Sequence, residues 1–288
     1  MDFGLHVGSI YSRSVSRPPS SVASKSNWLP GLDGLRAFSV AWVICFHLEK
    51  RDPLIFGEGI FRTMAFFGGQ GVTVFFVISG FLITSLLLKE EQRTGGISLL
   101  GFYRRRAFRI LPAAFVYIAI ALAFTWTNKL QWNPLEWLGS AFFFRNLIAN
   151  DTTSQLTSHY WSLSVEEQFY LIWPLMVMLA SPRRRLWVTA SLCLFAPVWR
   201  YLVMKLGAGV YANPARIDLN YDSLLIGAVL ALLQQRTRFR TVLDRHPVAA
   251  ILLPSTIIAF FALVRWSFAF SAFAGQLRPP PRPLSSQW

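Results

Sequence analysis

The sequence predicts an all-α fold, a polytopic transmembrane bundle of about 7–8 helices plus one short interfacial or re-entrant segment. Three observations lead there. Apolar residues make up 53% of the chain and charged residues only 15%, against roughly 25% charged in ordinary soluble domains. Long stretches hold no charge at all. The charges collect between those stretches, mostly as arginine clusters, which is the pattern of cytoplasmic loops.

Seven segments are expected to span, at about residues 32–48, 66–88, 110–127, 161–180, 186–206, 219–235 and 247–271. Several lie near the roughly 20 residues that a helix needs to cross the hydrocarbon core. Pro197 and Pro254 sit inside spans, where neighbouring helices can repair the backbone. The apolar stretch 136–149 is too short to cross and ends on Arg145 and Asn146. It is expected to lie in the interface or to re-enter.

That choice sets the topology. The leader, a loop at 89–109, Arg183–Arg185 and the arginines after residue 235 then all fall in the cytoplasm. Residues 1–28 are rich in Ser, with Arg13, Arg17, Pro18 and Pro19, and are expected to be a disordered basic cytoplasmic leader without a cleavable signal. Residues 29–274 form the transmembrane domain, expected to be incomplete at its C-terminal end. Residues 275–288 are a Pro-rich, atypical tail.

A net charge of +14 could suggest nucleic acid. Its segregation into loops explains it better, and no nucleic-acid motif or zinc-ligand spacing is present. The expected partner is the lipid bilayer, with no nucleic acid and no metal. Cys45 and Cys193 lie in apolar runs and read as small buried hydrophobes, not as a disulfide.

Arg36 and His47 are eleven residues apart, or about 1,100°, which places them within roughly 20° of one helix face and about 16 Å apart along it. Two such side chains in an apolar span call for a polar cavity, unless Arg36 is a cytoplasmic anchor and His47 a snorkelling end residue. Glu166 and Glu167 are adjacent in an apolar helix, so at least one must face protein or water. A carboxylate beside an imidazole fixes its tautomer and supports general-base chemistry. A helix-start role, with Ser164 as cap, is the alternative. Arg104–Arg106 and Arg109 could fork onto phosphates or simply set topology. Gly68-Gly69-Gln70-Gly71 lacks the strand and Lys-Ser/Thr of a phosphate loop. Its glycines, with Ser79 and Gly80, suit close helix packing.

Four stretches together resemble the acyltransferase-3 family of membrane O-acyltransferases. They are Leu32-Asp33-Gly34-Leu35-Arg36-Ala37 running on to His47, Gly71 to Ile83, Phe102 to Pro112, and Tyr160-Trp161-Ser162-Leu163-Ser164-Val165-Glu166-Glu167-Gln168-Phe169-Tyr170. Asp222 to Gly227 is a weaker fifth match. The resemblance covers roughly residues 28–235. It implies an enzyme of a bacterial inner membrane, N-terminus in the cytoplasm, that takes acetyl or another short acyl group from acetyl-CoA or a similar thioester. The acceptor would be a hydroxyl of a surface or exported carbohydrate. Carried over, Arg36, Arg106 and Arg109 would hold the coenzyme A phosphates. His47 would be catalytic, with Glu167 as partner and Glu166 as second choice. Arg216, Asp222 and Tyr170 would meet the acceptor. Relatives have about ten spanning helices, so an inactive, truncated remnant is one alternative. A transporter or flippase-like carrier is another, disfavoured because no internal repeat is visible.

Overall fold

The computed structural model describes residues 30–236 apart from 53–54, 58, 131, 149–154 and 206–214, together with residues 239, 241 and 245. The leader at 1–28, the seventh expected span at 247–271 and the tail at 275–288 lie outside the described residues. Among the described residues the structure is helical throughout, with no strand.

Among the described residues the α-helices follow in order: α1 Pro30–Arg51, α2 Ile60–Phe66, α3 Gln70–Thr94, α4 Leu99–Thr127, α5 Pro134–Ala141, α6 Gln155–Ser158, α7 Tyr160–Leu179, α8 Pro182–Lys205 and α9 Tyr221–Gln234. Four stretches, containing α1, α3, α4 and α8, are long and apolar enough to cross a membrane. In α7 the polar residues are gathered in the N-terminal half, and α9 is a shorter apolar helix.

The arginines expected in a loop at 89–109 are instead helical. α3 continues to Thr94 and α4 starts at Leu99. Local chemistry explains the tight connection. Gly95 takes the left-handed conformation at φ 77° and closes α3 by donating its N–H to Glu91, a conformation that costs glycine little. Ser98 then caps α4 by accepting from the Gly101 N–H at 3.2 Å, as a short hydroxyl side chain does well. Arg104, Arg105, Arg106 and Arg109 therefore ride on the first turns of α4, and their directions are fixed by helical periodicity.

Glycines bring α3 and α9 into close contact. A Cβ added at Gly80 would run into the Leu224 carbonyl, and one at Gly227 into the Val77 carbonyl. Gly68 and Gly71 meet the backbone of Trp42 and Ser39 on α1 in the same way. Small residues at such crossings let backbones approach in a membrane, where dispersion contacts replace hydrophobic drive. The core around this crossing contains Phe76, Ile83, Leu87, Val165, Leu224 and Ile226.

The 136–149 stretch does not span. α5 has eight residues, about 12 Å of helix. The chain turns at Phe142–Phe143 and closes in a 3-10 turn at Arg145–Leu147. Asn146 and Gln168 exchange amide hydrogen bonds at 3.0 and 2.8 Å, and Gln168 also donates to the Phe143 carbonyl at 2.8 Å. The Arg145 N–H donates to Ser164 Oγ at 3.2 Å. Backbone away from a helix is tolerated at membrane depth only when protein satisfies it, and α7 supplies those partners.

The charges around the α3–α4 connection are partly paired. Arg185 grips Glu91 with both terminal nitrogens at 2.5 and 2.8 Å, joining α8 to α3. Arg105 reaches Glu90 at 2.9 Å.

Candidate functional site

Four helices converge on one polar cluster. Arg36 of α1 stands 3.9 Å from the Glu166 carboxylate of α7, and its guanidinium lies over the Phe75 ring of α3 at 4.9 Å. Arg106 of α4 lies over the Tyr170 ring of α7 at 4.9 Å. The Tyr170 hydroxyl donates to Glu166. Arg106 is also within electrostatic reach of Arg36, Arg109 and Glu166. The three arginines expected to hold phosphates are thus neighbours. Arg106 is half-buried and Arg109 exposed.

Helix geometry explains why these residues meet. Glu166 and Tyr170 are four apart and share a face of α7. On α4, Arg106 and Phe102 are also four apart, and the guanidinium lies 5.9 Å from the Phe102 centroid. A flat, weakly hydrated guanidinium tolerates stacking on rings better than an ammonium would. Glu166 is 4% exposed, a burial that an ionised carboxylate accepts only with partners such as Arg36 and Tyr170.

His47 lies at the other end of α1, exposed, about 16 Å from Arg36 along the helix. The expected contact with Glu167 is not formed. Glu167 adjoins Glu166 and is within electrostatic reach of Arg106, and its buried Oε1 has no hydrogen-bond partner. The reason is register. Once Arg36 meets Glu166, the neighbouring carboxylate of Glu167 sits at the arginine end, not at the imidazole end.

The expected acceptor residues also divide. Tyr170 belongs to the arginine cluster. Asp222 is fully buried at the start of α9 and pairs with Arg200 of α8 at 2.8 Å. Arg200 also donates to the Leu219 carbonyl at 2.8 Å. Arg216 forks onto Asp218 with two bonds of 2.9 Å, and Trp199 donates to the same carboxylate at 3.0 Å. Arg200 escaped the sequence reading, although an arginine within an apolar run demands a partner.

One further imidazole was missed. His159 immediately precedes α7 and is exposed. Its ring meets Tyr117 edge-on at 4.9 Å and Tyr160 at 5.0 Å. Desolvation by these neighbours and the nearby charge of His47 push its pKa below the ordinary histidine value. The signal available in the sequence was its spacing of seven residues from Glu166, two turns on one face.

This arrangement can bind an anionic group at one end and handle a proton at the other. Residues 29–279 match the acyltransferase domain profile of the acyltransferase-3 family. The chain belongs to that family. Among acyltransferase-3 relatives, O-acetyltransferase OatA of Staphylococcus aureus (strain NCTC 8325 / PS 47) is 33% identical over 224 residues, covering 72% of this chain and 35% of the relative. OatA of Staphylococcus aureus (strain MRSA252) gives the same figures. The chain spans about a third of the length of these curated relatives. No solved structure matches it.

Proposed function

We propose that the protein is a membrane O-acyltransferase that moves an acetyl or other short acyl group from a cytoplasmic acyl-CoA to a carbohydrate hydroxyl at the outer face. The observation that carries this is the placement of Arg36, Arg106 and Arg109 together, with His47 on the Arg36 face of α1. In a bilayer with its cytoplasmic side at the α3–α4 connection, α1 runs outward from Arg36 to His47, so the imidazole lies on the outer side of the arginines.

In this reading the coenzyme A phosphates sit on Arg36, Arg106 and Arg109. Glu166 and Tyr170 aim Arg36 and Arg106, and Glu167 tunes the charge beside them. The pantetheine arm extends outward along α1. At its end His47 removes the acceptor proton while the acceptor oxygen attacks the thioester carbonyl. Arg216 borders the acceptor's approach, and Asp222 braces that wall through Arg200. The relatives are O-acetyltransferases by name, which agrees with an acetyl group as cargo.

The test supplies acetyl-labelled acetyl-CoA to the cytoplasmic side of membranes containing the full chain and a polysaccharide acceptor outside. Wild type should label the acceptor, His47→Ala should not, and Arg36→Ala should do so only at higher donor concentration. Equal labelling by wild type and His47→Ala would remove the imidazole from the reaction.

A further inference from the structure

α1 and α7 run in opposite directions and are pinned by the 3.9 Å contact between Arg36 and Glu166. From that pin both helices can be followed toward the outer surface. His47 is eleven residues on from Arg36, about 16 Å outward and about 20° from the Arg36 face. His159 is seven residues back from Glu166, about 10 Å outward and about 20° from the Glu166 face. The two imidazoles are within electrostatic reach of each other, with His159 about 6 Å closer to the cytoplasm. Tyr117 and Tyr160 pack its ring, and the residue remains exposed.

The depth difference matters for a thioester. On an arm entering from the cytoplasm the sulfur precedes the acyl carbon, so the sulfur lies on the His159 side of the carbonyl that His47 serves. We infer that His159 is a second proton-handling residue of the reaction, returning to the departing sulfur the proton that His47 takes from the acceptor. This inference rests on the acyltransferase reading above.

The step balances without an outside reagent. The acceptor oxygen bonds to the acyl carbon, and its proton goes to His47. The carbon–sulfur bond breaks and its electron pair stays on sulfur. His47 passes the proton to one nitrogen of His159, and the other nitrogen releases a proton to the thiolate. The products are the acylated acceptor and free thiol, with both imidazoles neutral again.

The experiment compares two acetyl donors in membranes holding the full chain as wild type, His47→Gln, His159→Gln or His159→Phe. One donor is acetyl-CoA. The other is 4-nitrophenyl acetate, whose leaving group departs without a proton. A relay predicts that both His159 variants lose about a hundredfold in rate with acetyl-CoA and keep wild-type transfer from the nitrophenyl ester. His47→Gln should lose transfer from both donors. Wild-type rates in His159→Phe with acetyl-CoA would show a packing role and overturn the relay, as would an equal loss with both donors or no loss in His159→Gln. Absence of transfer by wild type from acetyl-CoA would overturn the acyltransferase reading itself, and the relay with it.

Discussion

Arg36 of α1 reaches Glu166 of α7 at 3.9 Å, and this contact sets which end of α7 the polar residues of α1 meet. It commits one carboxylate to a guanidinium and leaves the imidazole of His47 to a different neighbour. Because Arg36 is only partly buried, it retains donors for an incoming anion.

Replacing Arg36 with Ala should therefore weaken donor binding more than turnover. Loss of a charged hydrogen bond of about 1.5–3 kcal/mol raises the acetyl-CoA KM roughly tenfold to a hundredfold. Steady-state transfer with labelled donor checks this. An unchanged KM with a large fall in kcat would place Arg36 at the reacting group instead.

Arg200→Met should destabilise the protein, because it leaves the fully buried Asp222 carboxylate without the guanidinium it faces at 2.8 Å. The expected cost is about 3–5 kcal/mol, and the double variant Arg200→Met with Asp222→Leu should recover much of it. Thermal unfolding in detergent reads both.

Gly80→Ala and Gly227→Val should each push α3 from α9, since the obstructing atoms are backbone carbonyls and cannot rotate away. Overpacking of this kind costs about 1–3 kcal/mol or more. The measurement is a lowered Tm for each variant, with a smaller effect from Gly96→Ala, where a Cβ meets open space.

The assigned topology predicts labelling sides. Single cysteines at Gly96 and Pro182, in a background with Cys45 and Cys193 replaced, should react with an impermeant maleimide only after permeabilisation. One at Lys129 should react in intact cells. Labelling of both groups from the same side would break the alignment of the arginine cluster with the cytoplasm.

Much of the helix layout was legible because lipid as solvent writes itself into apolar run length. The six expected spans that fall within the described residues each have a helix, and the 136–149 stretch turns back because it is too short. The α3–α4 connection was legible in its parts, Gly95 and Ser98, but arginine content favoured a loop over a cap. The site was less legible. Spacing put Arg36 and His47 on one face, yet periodicity within α7 could not say which of two adjacent carboxylates turns toward α1. Pairings such as Arg200 with Asp222 and Asn146 with Gln168 join residues whose proximity is purely tertiary.

Arg36 and His47 occupy a single uninterrupted rod, α1. A thicker or thinner bilayer can lean that rod, but it cannot lengthen or shorten the interval between the two side chains. In the proposed reaction, the reach demanded of the donor arm is therefore a property of the polypeptide alone, and the same thioester fits whatever lipids surround it.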